Sequence, residues 1–360
     1  MSSRRKFLKK SIIIPSIMIL PRHVLGGKGY TSPSDKLNIA GVGVRKWGMG
    51  SGNLSSCETE NIVALCDVDH KLSAETFNKY PKAKVYKDFR VMLETQKDID
   101  AVIVATPDHT HAIISMMSIK LGKHVFCQKP LTHTVYEARV ITEAARKYKV
   151  QTQMGNQGRS SEEIRRLKEW IDDGAIGPVR KVYAWTDRPV GGNAWDTFDA
   201  KAKPKEKPPI PKDLDWDLWL GPAKYRNYHP SYHPNSWRAW IDFGTGSMGD
   251  MGCHIIDPSF YALELGAPSE IQATSTHWIP EVESQTYPSA SIVRMKFPKR
   301  GNHPELELTW SDGRILPPIP EEFKDTDKFT LSGAMIIGDK GKIIHNSHGA
   351  SGLKIIPKEK

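Results

Sequence analysis

The sequence predicts two unlike halves: an α/β unit built on a parallel sheet over residues 36–155, then an α+β unit with a largely antiparallel open sheet over residues 156–360. Three observations carry this. Short apolar runs alternate with helical patterns as far as Met154, the signature of βαβ units. After Gly155, strand-like runs follow one another at hairpin spacing instead. Glycines crowd the first strand-to-helix connection, where the backbone must turn tightly. At 360 residues the chain is long enough for two cores.

Residues 37–42 read as a buried strand, and glycines then open the next helix. Residues 61–66 give a second strand and 71–80 a helix. A short strand at 84–86 precedes a helix at 89–95. A fourth strand at 101–105 leads to a helix at 111–121, a strand at 124–127, a helix at 135–148 and a strand at 150–154. Helical periodicity returns over 160–173 and stops at Gly174. Residues 179–186 alternate as a strand, with Val182, Ala184 and Thr186 on one face. Residues 188–248 form a Pro-, Gly- and Trp-rich excursion, longer than a plain connection. A helix at 255–265 and strands at 270–276, 290–297, 305–310 and 334–337 complete the second unit. The only internal repetition, Tyr228-His229-Pro230 against Tyr232-His233-Pro234, is too short for a repeat fold.

Hydrophobic and charged fractions of 39% and 26% are those of a globular protein, not of a disordered or membrane-spanning one. The net charge of +10 suggests nucleic acid until its distribution is read. Residues 1–27 hold Arg4, Arg5, Lys6, Lys9, Lys10 and Arg22 and no acid, which leaves 45 basic against 41 acidic side chains elsewhere. That near balance removes nucleic acid as an expected partner. Cys57, Cys66, Cys127 and Cys253 show no C-x-x-C spacing, so neither structural zinc nor a disulfide framework is implied.

Ser3-Arg4-Arg5-Lys6-Phe7-Leu8-Lys9 is a twin-arginine pattern, followed by an apolar run from Ile12 to Leu20 that contains Pro15. The run is too short for a bilayer span. Residues 1–27 therefore read as an export segment, with Val24-Leu25-Gly26 near a cleavage point. The twin-arginine export machinery is the implied partner, and a periplasmic or otherwise exported location after cytoplasmic folding the implied destination. That route carries folded proteins, often with a cofactor already bound.

Gly41-Val42-Gly43 ends the first strand, and Gly48 is the nearest glycine to the third position of a dinucleotide fingerprint, which is occupied by Lys46. Glycines here let the backbone approach a pyrophosphate at the mouth of a helix. Asp67 ends the second strand, 24 residues after Gly43, where a carboxylate accepts hydrogen bonds from ribose hydroxyls and repels a 2′-phosphate. NAD is expected over NADP. The loop Thr106-Pro107-Asp108-His109-Thr110-His111 ends the fourth strand and is read as packing against the nicotinamide, with Thr106, Pro107 and His111 as cofactor contacts. His-x-His is also a spacing that metal ligands use. No partner segment with ligand spacing accompanies it, and no metal is expected.

Gln128-Lys129-Pro130 follows the fifth strand and sits where open α/β sheets do chemistry. Asp250 and His254 are spaced to share one helix face, a carboxylate beside an imidazole that suits general-base work. Six of the ten tryptophans, Trp185, Trp195, Trp216, Trp219, Trp237 and Trp240, fall in or beside the excursion. Aromatic faces suit the C–H surface of a sugar ring. Most of these are expected to anchor the loop, with Trp195, Trp237, Arg238 and His233 as substrate contacts.

Taken together, Gly41-Val42-Gly43, Ala64-Leu65-Cys66-Asp67-Val68-Asp69, the Thr106-Pro107…His111 loop, Gln128-Lys129-Pro130 and Asp250…His254 resemble the Gfo/Idh/MocA family of sugar and cyclitol oxidoreductases over residues 36–345. The usual tripeptide of that family is Glu-Lys-Pro, with Gln128 in its first position here. The resemblance implies an N-terminal Rossmann domain and a C-terminal α/β domain whose open sheet often mediates homo-oligomers. It places Lys129 and His254 beside the nicotinamide, with Asp250 assisting; Gln128 and Lys129 count as cofactor contacts too. Similar sequences continue with further helices, so the chain is expected to be incomplete beyond Lys360.

The expected function is NAD-dependent oxidation of a secondary hydroxyl of a sugar, glycoside or cyclitol. His254 takes the proton, Lys129 stabilises the oxygen and Asp250 positions them. Two alternatives stay open: a glycosidase that oxidises the sugar ring transiently and eliminates the leaving group, and a non-catalytic NAD-binding sugar sensor.

Overall fold

In the computed structural model, residues 32–189, 204–276, 285–324 and 328–357 are described. The twin-arginine segment and Trp195 lie outside them. The first unit runs β1 (Asn38–Val42), α1 (Met49–Ser55), β2 (Asn61–Cys66), α2 (His70–Lys79), β3 (Lys84–Tyr86), α3 (Phe89–Thr95), β4 (Ala101–Val104), α4 (Asp108–Lys120), β5 (His124–Gln128), α5 (Val135–Tyr148) and β6 (Thr152–Gly155). Its six strands lie in the order β3-β2-β1-β4-β5-β6, with every neighbouring pair parallel. Apolar residues on both faces of each inner strand explain this. Ala40, Val42, Val102 and Val104 pack with Met92, Leu93 and Ile114 on one side. Ile39, Leu65 and Ile103 pack with Leu54 on the other. A sheet covered on both faces is the setting in which parallel strands are stable.

Side-chain caps fix where several helices start. Asp69 accepts from Leu72 N and Asp88 from Arg90 N, while Thr134 and Glu137 form a reciprocal capping box. α4 begins at Asp108, three residues before the predicted start at 111. The Thr106…His111 segment is therefore mostly the first turn of a helix rather than a loop. Asp108 favours that turn electrostatically, as an acid at a helix N-terminus.

The second unit contains α6 (Glu162–Asp172), β7 (Val179–Trp185), α7 (Trp216–Leu220), a π-helical turn (Met248–Gly252), α8 (Cys253–Ala262), β8 (Glu270–Ser275), β9 (Ser291–Phe297), β10 (Leu306–Ser311), β11 (Gly333–Gly338), β12 (Gly341–Asn346) and β13 (Lys354–Ile356). The sheet order is β13-β12-β11-β7-β10-β9-β8. β10 and β7 are parallel and the other pairs antiparallel. α6 and α8 cover one face through Ile164, Leu167 and Ala262 on Val182, Leu308 and Ile336.

Residues 204–248 build a core of their own. Trp216, Trp219, Tyr232, Trp237, Trp240 and Phe243 pack together, with Trp216 and Trp219 stacked at 4.6 Å. The Trp216 and Trp240 indoles donate to Arg226 O and Ser231 O. Anchoring accounts for most of the tryptophans. This core lies on the carboxyl edge of the first sheet. Leu214 bridges to Asp69, and Asp215 N donates to Val68 O at 2.9 Å. His133 Nε2 meets Ile241 O and Gly244 O, and Thr245 Oγ1 donates to Asp108 at 2.7 Å.

Candidate active site

The strand order of the first sheet reverses between β1 and β4, and β1, β2, β4, β5 and β6 all end on one edge, at Gly43, Asp67, Thr106, Lys129 and Asn156. Such a switch point is where open α/β sheets leave a crevice. A cavity of about 300 Å³ opens there. Gly43, Gly48, Asp67, Thr106, Pro107, Gln128 and Lys129 line one side, and His233, Trp237 and Arg238 of the excursion the other.

The glycine turn works through a different third residue from the one its spacing suggests. Gly43 has φ +80, and a Cβ on it would meet Ala105 O at 2.7 Å. Gly50, inside α1, comes so close that an added Cβ would lie 2.0 Å from Gly43 O. Gly50 thus lets the helix pack against the turn, while Gly48 precedes the helix as its N-cap. Gly41 lies within β1, against Val44 and Leu54, and does not reach the cavity.

Asp67 accepts from Val44 N at 2.8 Å and Asp69 N at 3.0 Å. Burial pushes its carboxyl up, and hydrogen bonds from Asp69 N and Val44 N counter this. Asp69 caps α2 and bonds His233 Nε2 at 2.9 Å. His233 is therefore placed at the Asp67 end of the cavity, away from Lys129. A carboxylate at the end of β2 and a turn with no room for side chains fit a dinucleotide, so these residues would hold NAD.

His111 stands behind the cavity rather than on it. It is buried, with Nδ1 2.8 Å from Pro130 O and Nε2 2.8 Å from Thr106 O. Both contacts are short enough to need an N–H, unlike the 3.3 Å one of the two that His109 makes, so the His111 ring is held as an imidazolium. Burial opposes that charge, but the neighbouring Cys127 sulfur, Asp108 and the Pro130 carbonyl raise the group to about 9. His111 ties the end of β4 to the Lys129-Pro130 turn. Gln128 is likewise tied, donating to Asn53 of α1 at 2.7 Å.

Lys129 Nζ donates to both Asp250 O and Asp250 Oδ1 at 2.7 Å. Asp250 lies in the π-helical turn, a distortion frequent at functional sites. Burial disfavours its ionised form, yet the charges of Lys129 and Arg238 hold the carboxyl below its ordinary value. Arg238 Nε stands 3.7 Å from the same oxygen, and its guanidinium covers the Trp237 ring at 4.1 Å.

His254 takes its orientation from a residue the motif reading missed. Its Nδ1 lies 2.9 Å from Asn156 Oδ1, while Asn156 Nδ2 donates to Cys253 O at 2.7 Å. With the amide turned that way, Nδ1 must carry the proton and Nε2 the lone pair. Burial, then Lys129 and His348, push this imidazole down to about 3. The ring is only 2% exposed and stacks on His348 at 4.0 Å. Asn156 was findable, since it directly follows a parallel strand. His348 follows β12, which carried no predicted strand.

A neutral imidazole, an ammonium held by a carboxylate and a cavity fit for a dinucleotide lie along this edge. Family comparisons agree with the dinucleotide cavity. A model described as "Oxidoreductase family, NAD-binding Rossmann fold" matches residues 37–156, and one for the C-terminal alpha/beta domain of the same family matches 160–281. Levoglucosan dehydrogenase of Pseudarthrobacter phenanthrenivorans is 25% identical over 221 residues, 60% of this chain and 46% of that protein. Inositol 2-dehydrogenase of Salmonella typhimurium is 30% identical over 154 residues, 41% of this chain and 44% of that one. The chain thus spans about half the length of the curated relatives it matches. An inositol dehydrogenase homolog of Azotobacter vinelandii, solved with NAD+, superposes with a TM-score of 0.61 at 17% identity, covering 89% of this chain and 76% of that one. That likeness shows the fold, and the two matched domains show the rest: the chain belongs to the Gfo/Idh/MocA oxidoreductase family, with an NAD-binding Rossmann domain at its N-terminal side.

Proposed function

We propose that this protein oxidises a secondary hydroxyl of a sugar, glycoside or cyclitol. The observation that carries the reading is the Lys129–Asp250 pair at the carboxyl edge of β5, next to a His254 ring whose Nε2 is left as an acceptor. Bound NAD+ supplies the hydride acceptor. Lys129, with two N–H groups fixed by Asp250, directs its third at the substrate oxygen and stabilises the negative charge that develops there. His254 Nε2 takes the hydroxyl proton, and Asn156 keeps the ring in the tautomer that allows it. Asp250 holds the ammonium in place and offsets its charge. Arg238, stacked on the buried Trp237 ring, brings a guanidinium to the same cavity, which suits a polyhydroxylated ring. The names of the relatives point to the same substrate class.

Export by the twin-arginine route belongs to this reading, on the strength of Arg4-Arg5 and the apolar run behind them. Lysine at both arginine positions should retain the protein in the cytoplasm on fractionation; unchanged export would contradict that part. For the activity, purified protein with NAD+ is presented with levoglucosan, myo-inositol and alkyl glucosides, and keto products are sought by mass. NADH with a keto product supports the proposal. Release of free sugar from the glucosides without accumulating NADH would favour the glycosidase route instead.

A further inference from the structure

His348 lies over His254, and the chain around it is shaped to hold it there. The two ring centroids are 4.0 Å apart with planes inclined by 27°. Past β12 the backbone turns left-handed at three successive residues, His348 (φ 38), Gly349 (φ 75) and Ala350 (φ 59). For a residue with a Cβ that conformation costs about 1–2 kcal/mol, and such strain persists only where its surroundings enforce it. The surroundings here do. Asn346 N donates to Ser351 O at 2.8 Å and Ser347 N to Ser332 O at 3.1 Å. Ser161 Oγ donates to Gly349 O at 2.5 Å. A Cβ on Gly158 would lie 2.6 Å from Gly349 N, so the loop is pressed against the turn that follows β6.

The same turn begins with Asn156. One short segment therefore grips His254 in the ring plane through Asn156 and, through the docked loop, covers its face with His348. His254 is 2% exposed, whereas His348 is exposed and borders an open hollow lined by Arg188, Ser332 and Asn346. The ring of His348 thus separates His254 from that hollow.

We propose that His348 is a positioning residue for the base of the reaction: stacked on His254, it fixes the plane of that imidazole and keeps water from one of its faces. The proposal rests on reading His254 as the base. The charged groups facing His254 are Lys129, Asp250 and His348; those facing His348 are Lys129, Asp250 and Arg188. Burial is the largest cause of the low proton affinity of His254, and burial is what the His348 ring supplies.

Two variants separate cover from charge. His348→Asn keeps a residue type that tolerates left-handed backbone but removes the ring; His348→Phe keeps a flat ring without a titrating group. In histidine-labelled full-length protein with NADH bound, the His254 imidazole resonance is assigned by its loss in His254→Gln and followed as pH is lowered. NADH titration checks that each variant is folded. The wild type and His348→Phe should show no His254 protonation above about pH 4.5, while His348→Asn should raise its proton affinity at least about thirtyfold. A His348→Asn protein that titrates like the wild type would overturn the proposal, as would His348→Phe matching His348→Asn. No substrate is added, so this result is independent of whether a sugar is oxidised.

Discussion

Lys129 spends two of its three N–H groups on a single residue, the carbonyl and carboxylate of Asp250. That geometry separates orientation from binding: the ammonium is aimed by the protein before any substrate arrives. Lys129→Ala should lower kcat by about 10²–10³, the range for losing one donor to a developing oxyanion. NADH affinity, followed by nicotinamide fluorescence, should stay within about threefold, since Gly43, Asp67, Thr106 and Pro107 carry most of the cofactor cradle. Loss of NADH binding with turnover intact per bound cofactor would reverse the assignment. Lys129, Asp250 and His254 were legible in the sequence as a group, with Asp250 positioning the other two, but what orients His254 was not. Asp250 and His254 sit four positions apart and suggested a pair; instead Asp250 holds Lys129, and Asn156 orients His254. Local spacing exposes neighbours along a helix and is silent about partners brought from another domain.

At the scale of elements, the turn between β1 and α1 shows how a motif departs from its usual spacing and keeps its physics. Gly50 supplies the close helix-to-turn contact, with an added Cβ only 2.0 Å from Gly43 O, whereas one on Gly48 would meet Arg45 at 3.0 Å. Gly50→Ala should therefore weaken NADH binding at least about tenfold and cost about 1–3 kcal/mol by overpacking. Gly48→Ala should be milder on both counts; equal effects in the fluorescence titration and thermal melt would contradict this account of the turn. The four inner strands of the first sheet were readable because both faces are buried, which makes each a short apolar run bounded by turn signals. β12 and β13 were not. β12 has only Ile343 and Ile344 between Lys342 and His345, and β13 is three residues long. α4 was placed late because its first turn is polar, and the pattern of apolar residues starts only after it.

For the whole molecule, buried histidines contribute strongly to how stability responds to pH. Burial pushes His109 down to about 4, His254 to about 3 and His345 to about 4. A histidine depressed on folding contributes stability that is complete above its ordinary value of 6.5 and is lost as pH falls towards the folded value. Each of the three should withdraw about 1 kcal/mol per pH unit below about 6.5. His111 has the opposite sign. Raised to about 9, it contributes fully below 6.5 and loses that contribution as pH climbs through 9. Thermal melting at constant ionic strength should therefore peak near neutrality and fall more steeply on the acid side, where three groups act. A flat profile between about pH 5 and 7 would contradict it. His109 also fastens the excursion to the first sheet, sitting between Phe243 O and Trp219 O. The central claim is that this assembly moves a hydride from a sugar or cyclitol carbon to NAD, with Lys129 and His254 handling the oxygen. Carbon-deuterated levoglucosan and myo-inositol, incubated with the protein and NAD+, test it most directly by the mass of the nicotinamide product. The account predicts singly deuterated NADH from at least one of them, formed about a hundredfold or more slowly by Lys129→Ala. Bound NAD+ that stays unreduced with both would contradict it.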